Sequence, residues 1–348
     1  MSNALFLSIL ALACLVLLTW GFRVLPGERW QILATLPLRR LDDGHWQGIN
    51  LTWYGLLTAN AYLAAVAVLV LLLGTVGVPL ASILTAAVIL LLVCVPASRL
   101  VARVVEGKAH TFTVGGAVFV GLLIAPWLLA GVNRLPWLTP LPVLPALAAI
   151  AVAYAFGEGL GRLACISFGC CYGKPLAQCG QRMQKLFRRR HFVFFGATKK
   201  IAYADGLEGV GVIPVQGLTA LLYCLVGIAG TGLFLAGKFS TAFVLATFVT
   251  QAWRVYSETL RADYRGTGRI SAYQLMALAA LPYALAIALF HPAAPSVVVP
   301  ELHRGFALFG RPLLMLFLQG LWLALFIHTG RSTVTGATLS FHVHLDRI

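Results

Sequence analysis

The chain has 348 residues, of which 60% are apolar and only 11% charged, and its formal net charge is +15. A soluble domain carries roughly 25% charged residues, so this composition excludes a soluble enzyme or binding module and defines an integral membrane protein. The cations lie in short segments between apolar stretches, which excludes a nucleic-acid-binding domain and makes anionic lipid headgroups their expected partners.

In chain order, residues 1–22 contain no Asp, Glu, Lys or Arg. No basic residue precedes the apolar segment that begins at Ala4, and no small-x-small cleavage site follows Trp20. A retained helix is therefore expected there, not a signal peptide. After a basic stretch, residues 44–98 hold two spans hinged near 74–79. Further uncharged stretches cover 109–133, 135–157, 209–237, 239–253, 270–300 and 312–330. Because about 20 apolar residues cross the hydrocarbon, these stretches predict an all-α polytopic fold of about nine transmembrane helices. A basic loop falls between the fifth and sixth spans. The expected organisation is an extra N-terminal helix and basic loop (1–47), a membrane core (48–290), and an extra C-terminal helix and tail (291–348).

The connecting segments alternate sides, and the basic residues do not divide evenly between them. Residues 21–51, 97–114, 161–212, 257–270 and the tail from 330 carry 21 Lys and Arg; the opposite set carries 4. The positive-inside rule puts the first set in the cytoplasm.

The densest chemistry lies in residues 157–175, GEGLGRLACISFGCCYGKP, with five glycines and three cysteines around Glu158 and Arg162. The acid and the arginine are four residues apart and share a helix face. Charges at membrane depth mark functional sites. Cys165, Cys170, Cys171 and Cys179 follow a C-x4-C-C-x7-C spacing that does not match the close pairs of structural zinc. No metal and no cofactor is expected. A cation beside a thiol raises its thiolate fraction, so Cys165 and Cys170 near Arg162 are candidate reactive thiols, with small packing residues as the alternative.

The stretch 174–200 interleaves Arg188, Arg189, Arg190, Lys199 and Lys200 with Phe187, Phe192, Phe194 and Phe195. It reads either as an interfacial segment with its rings in the headgroup region or as a solvated loop that fixes topology. In residues 253–263, Arg254, Glu258 and Arg261 fall on one helical face. That pattern suits a phosphate held by arginine forks, or a structural ion-pair ladder. Trp53-Tyr54-Gly55-Leu56 opens a span with an aromatic pair of the interfacial type. His110 precedes Gly115 and Gly116, where the double glycine gives a flexible start to the next span.

Taken in order, these motifs resemble the prolipoprotein diacylglyceryl transferase family. The matching stretches are Trp53-Tyr54-Gly55-Leu56, Val114-Gly115-Gly116, Gly161 to Gly173, Pro214-Val215-Gln216, and Arg254-Val-Tyr-Ser-Glu258-Thr-Leu-Arg261. The resemblance implies a multi-helix membrane enzyme that moves the diacylglyceryl group of phosphatidylglycerol onto a cysteine thiol and releases glycerol phosphate. It implies that Arg162 and Arg254 bind the lipid phosphate and support the charge of the leaving group. Glu258 and Arg261 would order that site, Tyr54 would face it, and Gly115, Gly116 and Gln216 would line the substrate. The family's histidine before the double glycine is Val114 here, and its signature asparagine and glutamate fall on Cys165 and Cys170. His110 is the substitute base available from the same loop.

The expected protein is thus a lipid-modifying transferase of the bacterial cytoplasmic membrane, with phosphatidylglycerol or another anionic phospholipid as donor and a prolipoprotein cysteine as one acceptor. Two alternatives stand beside it. One is a paralogue with a cytoplasm-facing site that serves another acceptor; the other is a non-catalytic protein that binds or transports anionic lipid.

Overall fold

The computed structural model describes residues 2–107, 113–263, 270–291 and 299–348. Helix α1 (Asn3–Val24) leads into strands β1 (Ile32–Arg40) and β2 (Trp46–Thr52), and then into α2 (Trp53–Thr75), α3 (Leu80–Glu106), α4 (Val114–Val132) and α5 (Val143–Phe168). A small head follows, built from α6 (Gln181–Phe187), β3 (Phe192–Val193), α7 (Lys200–Asp205) and β4 (Gly211–Val212). The chain continues through α8 (Val215–Leu235), α9 (Phe239–Leu260), α10 (Ala272–Phe290), α11 (Leu302–Ala307), α12 (Pro312–Gly330) and β5 (Arg331–Leu339).

Among the described residues, eight helices, α1 to α5, α8, α10 and α12, are long and apolar enough to cross a membrane. Helix α9 has 22 residues but is less apolar, because Thr247, Thr250, Gln251, Arg254 and Ser257 interrupt it. All five are buried. Polar groups in a membrane bundle turn inward, so α9 carries its polar face against α5 and α8. The protein is a polytopic helical membrane protein, as its apolar stretches predict.

Helix α5 is the centre, with 67% of its span buried against 17% for α1. It packs on α2, α8 and α9. Its glycines allow this: a Cβ on Gly157 would lie 2.9 Å from the Cβ of Ala65, and one on Gly159 would lie 3.1 Å from Cys224 Sγ. Small residues let membrane helices approach backbone to backbone, where van der Waals packing replaces the hydrophobic drive. On α1, by contrast, Leu5, Ile9, Leu12, Leu15 and Val16 are exposed, a surface suited to lipid tails.

The segments with most of the cations meet at one end of the bundle. Lys199 Nζ donates to Leu25 O at 3.2 Å and to Ser167 O at 2.5 Å, and so caps the ends of α1 and α5. Ser167 Oγ donates to Trp30 O, and Lys174 N donates to Leu260 O at 2.9 Å. Burial pulls the Lys199 amine down to about 8, against the opposing charge of Glu28.

The basic stretch after α1 is not an irregular loop. Strands β1 and β2 form an antiparallel hairpin whose turn contains Gly44 at φ +85°, and β5 joins β2 to give the order β1-β2-β5. The two segments that flank the expected core therefore share one sheet. Helix α12 also crosses α2 closely: a Cβ on Gly55 would lie 2.0 Å from Gly330 Cα, and Thr52 Oγ1 donates to Gly330 O at 3.0 Å.

The aromatics of 174–200 are not laid out for headgroups. Phe187, Phe192 and Phe194 are buried, with Phe192 against Phe22 at 5.8 Å, and of the four rings Phe195 alone is exposed. Arg188, Arg189 and Arg190 lie on the exposed surface of the head. The rings turn inward because so short a segment has no other core.

Candidate active site

Where α5, α8 and α9 end at the head, a polar pocket with about 300 Å³ of empty space, its open mouth included, is lined by Arg162, Cys171, Gln216, Arg254, Glu258 and Arg261 among others. Its cations come from two helices that are distant in sequence. Arg162 Nη2 donates to Glu158 Oε1, and Arg254 Nη2 reaches the same oxygen at 3.4 Å. One carboxylate thus holds two guanidinium groups side by side. Side-chain exposure is 4% for Glu158, 11% for Arg162 and 8% for Arg254, so the three form an almost dry cluster. Arg254 Nη2 also donates to Tyr154 Oη at 3.2 Å.

The third cation, Arg261, caps the end of α9 and binds Asp263 through Nε and Nη2, each at 2.7 Å, and Glu258 through Nη1 at 3.5 Å. Its position depends on the cysteine-rich turn: Gly173 forms a bridge with Arg261, and Ala262 N donates to Tyr172 O at 3.1 Å. Glycine at 173 also admits the start of α8, since a Cβ there would run into the backbone oxygen of Ile213.

Among the described residues, the Nε atoms of Arg162 and Arg254 and the Oε1 of Gln216 are buried without a hydrogen-bond partner. Buried polar groups are nearly always paired, so the two leftover arginine N–H donors in a cationic pocket suit an anionic ligand, whereas Gln216 Oε1 can only accept. Gln216 Nε2 donates to Cys170 O at 2.8 Å. Gly115 leaves room for the arginine, as a Cβ there would lie 2.9 Å from Arg254 Nη1.

Arg162, Arg254, Glu258, Arg261 and Gln216 therefore meet in one pocket, with Gly115 behind it. Gly116 instead faces Val101, 2.5 Å from where its Cβ would stand, and serves the contact between α3 and α4. Tyr54 stacks edge-on against Phe168 at 5.6 Å, close enough to Cys165, Cys170 and Cys171 to interact with them electrostatically. His110 lies outside the described residues. The three thiols gather with their Sγ atoms within 4.8 Å of one another. Cys171, rather than Cys165 or Cys170, lines the pocket. Hydrogen bonds from Cys165 and Cys170, and then the charges of Arg261 and Arg162, hold the Cys171 thiol well below its ordinary value despite burial.

Sequence reasoning paired Glu158 with Arg162 alone and missed its second role toward Arg254. It also missed Tyr154, Tyr223, Ser257 and Asp263. Only the fourfold spacing of Glu158 and Arg162 pointed to the acid; the tyrosines sit in apolar spans, where nothing in the pattern distinguishes them from core.

Fold and site define a class: a polytopic membrane protein with a buried, arginine-rich pocket at one end of its helices. The chain matches the prolipoprotein diacylglyceryl transferase family over residues 45–290 and belongs to that family. Its members are membrane transferases that act on lipid and lipoprotein substrates. Comparison with curated proteins gives no match.

Proposed function

We propose that this protein transfers a diacylglyceryl group from phosphatidylglycerol, or a related anionic phospholipid, to a thiol or other nucleophilic acceptor in the bacterial cytoplasmic membrane. The observation that carries the reading is the convergence of Arg162 and Arg254 on Glu158, with one nitrogen of each arginine left over for a ligand. Both guanidinium groups take the lipid phosphate, and Glu158 holds them beside each other. As the glyceryl carbon–oxygen bond breaks, charge grows on the departing phosphate. Preorganised cations in a site that excludes water stabilise that charge strongly. Glu258 and Asp263 orient Arg261, which closes the pocket on the side of Cys171.

A second reading concerns the acceptor. Val114 stands at the family's histidine, and Cys165 and Cys170 stand at its asparagine and glutamate, so the donor half of the site is better kept than the acceptor half. With the cationic loops in the cytoplasm, the acceptor is a molecule other than an exported prolipoprotein. Incubation with labelled phosphatidylglycerol and mass spectrometry of the products tests both readings. Release of glycerol phosphate with a new diacylglyceryl adduct supports transfer; binding without any lipid turnover leaves a lipid-binding or transport protein.

A further inference from the structure

Cys165, Cys170 and Cys171 have no assigned role in the phosphate chemistry, yet they are held as a set. Cys165 lies in the last turns of α5, and Cys170 N donates to its carbonyl at 3.0 Å. Gln216 fixes the carbonyl of Cys170. Cys171 has φ +58°, and it alone among the described non-glycine residues has a positive φ. A non-glycine residue in that region is uncommon, and such strain persists where the surroundings over-determine it.

The result is three sulfurs within 4.8 Å of one another. Zinc–thiolate bonds of about 2.3 Å in tetrahedral geometry put sulfurs about 3.8 Å apart, about an ångström closer than the 4.8 Å that bounds this arrangement. Thiolates select soft or borderline cations over magnesium and calcium. Three thiolates and one divalent cation leave a single negative charge, and Arg261 and Arg162 stand near enough to Cys171 to offset it.

We propose that Cys165, Cys170 and Cys171 form a three-thiolate site for a soft divalent cation such as zinc, with the fourth coordination position open toward the arginine pocket. Catalytic zinc sites keep such an open position. The site's role rests on the thiol-acceptor reading above. An acceptor thiol takes the open position as thiolate and gives its proton to water, since a coordinating thiol is deprotonated outright. Its sulfur then forms a carbon–sulfur bond to the glyceryl carbon while the carbon–oxygen bond to phosphate breaks, and the electron pair leaves with glycerol phosphate between Arg162 and Arg254. The metal would replace the base that Val114 cannot supply.

The test uses the full chain, purified in detergent under reductant and titrated with cobalt(II) alone. The expected result is one cobalt per chain, with sulfur-to-cobalt charge-transfer bands in the near ultraviolet. Cys165→Ser, Cys170→Ser and Cys171→Ser should each weaken binding by about 100-fold or more, since loss of even a supporting group costs 10–100-fold. Cys179→Ser should leave binding unchanged. Because a serine variant can fail to fold, each is checked by size-exclusion chromatography, and displacement of cobalt from the wild type by zinc is read independently. Absence of stoichiometric binding in the wild type, or bands that survive all three substitutions, overturns the site. Lipid turnover without metal binding would remove the site and leave the transferase reading intact; metal binding without turnover on any acceptor would do the reverse.

Discussion

Glu158 sets the electrostatic balance of the pocket, because it is the carboxylate shared by two buried arginines. Removing one partner of a buried ion pair leaves uncompensated charge and costs about 3–5 kcal/mol. Glu158→Ala should therefore lower the thermal midpoint in detergent more than Arg162→Lys or Arg254→Lys, and added anionic lipid should restore part of the loss. The two lysine variants should instead keep the fold and lower kcat by about 10²–10³-fold, the usual effect of losing one donor to developing charge; steady-state assays with phosphatidylglycerol measure this. Lys199 supplies a pH-dependent contribution of definite sign. Its amine titrates at about 8 in the fold and at its ordinary 10.5 when exposed. Between those values the unfolded chain binds more protons, so stability rises with pH across that window. In thermal unfolding, wild type should gain stability relative to Lys199→Met as pH rises from 8 to 10.5, with no change in their difference below pH 8.

Among the helices, close approach through glycine decides which substitutions matter for structure and which for chemistry. Gly55→Ala would drive a methyl into the backbone of Gly330. Overpacking of this kind costs about 1–3 kcal/mol, and the measured effect should be lower thermal stability with loosened α12. Gly115→Ala directs its methyl at Arg254 and Tyr273, so kinetics should change more than stability. The spans themselves were legible in the sequence because twenty apolar residues leave few other structures available in a bilayer. Helix α9 was legible as a helix, but its inward polar face leaves it outside the eight described helices apolar enough to span, where the sequence suggested about nine. The sheet was not: Pro37 and the paired Arg39 and Arg40 obscure β1, and its partner strand lies at the far end of the chain. Arg162, Arg254 and Arg261 could be read from motif spacing, whereas the sharing of Glu158 required the packing of α5 on α9. The thiol cluster was hidden for a different reason, since a linear C-x4-C-C spacing does not reveal that a left-handed turn folds the third sulfur back.

For the whole molecule, the bundle has one cationic end, made by the head, the sheet and the ends of α1, α5, α9 and α12. The charge bias predicts that this end faces the cytoplasm. A reporter fused after Ile348 should be active only in its cytoplasmic form, and an impermeant thiol reagent should not label Cys179 in intact cells. The reverse result would put the arginine pocket on the side where exported proteins appear and restore a prolipoprotein as its acceptor.

The pairing of β2 with β5 also bears on the order of events during synthesis. Asn50 and Thr335, hydrogen-bonded across the sheet at 3.2 Å, are 285 positions apart in the chain. At about 5–20 residues per second, β2 waits on the order of half a minute for its neighbour. During that time the hairpin presents an unpaired edge, the kind of backbone that captures other strands. The flanking segments therefore act as a latch that closes only after α12 has been made, and a nascent chain stalled before β5 would keep that edge of β2 open.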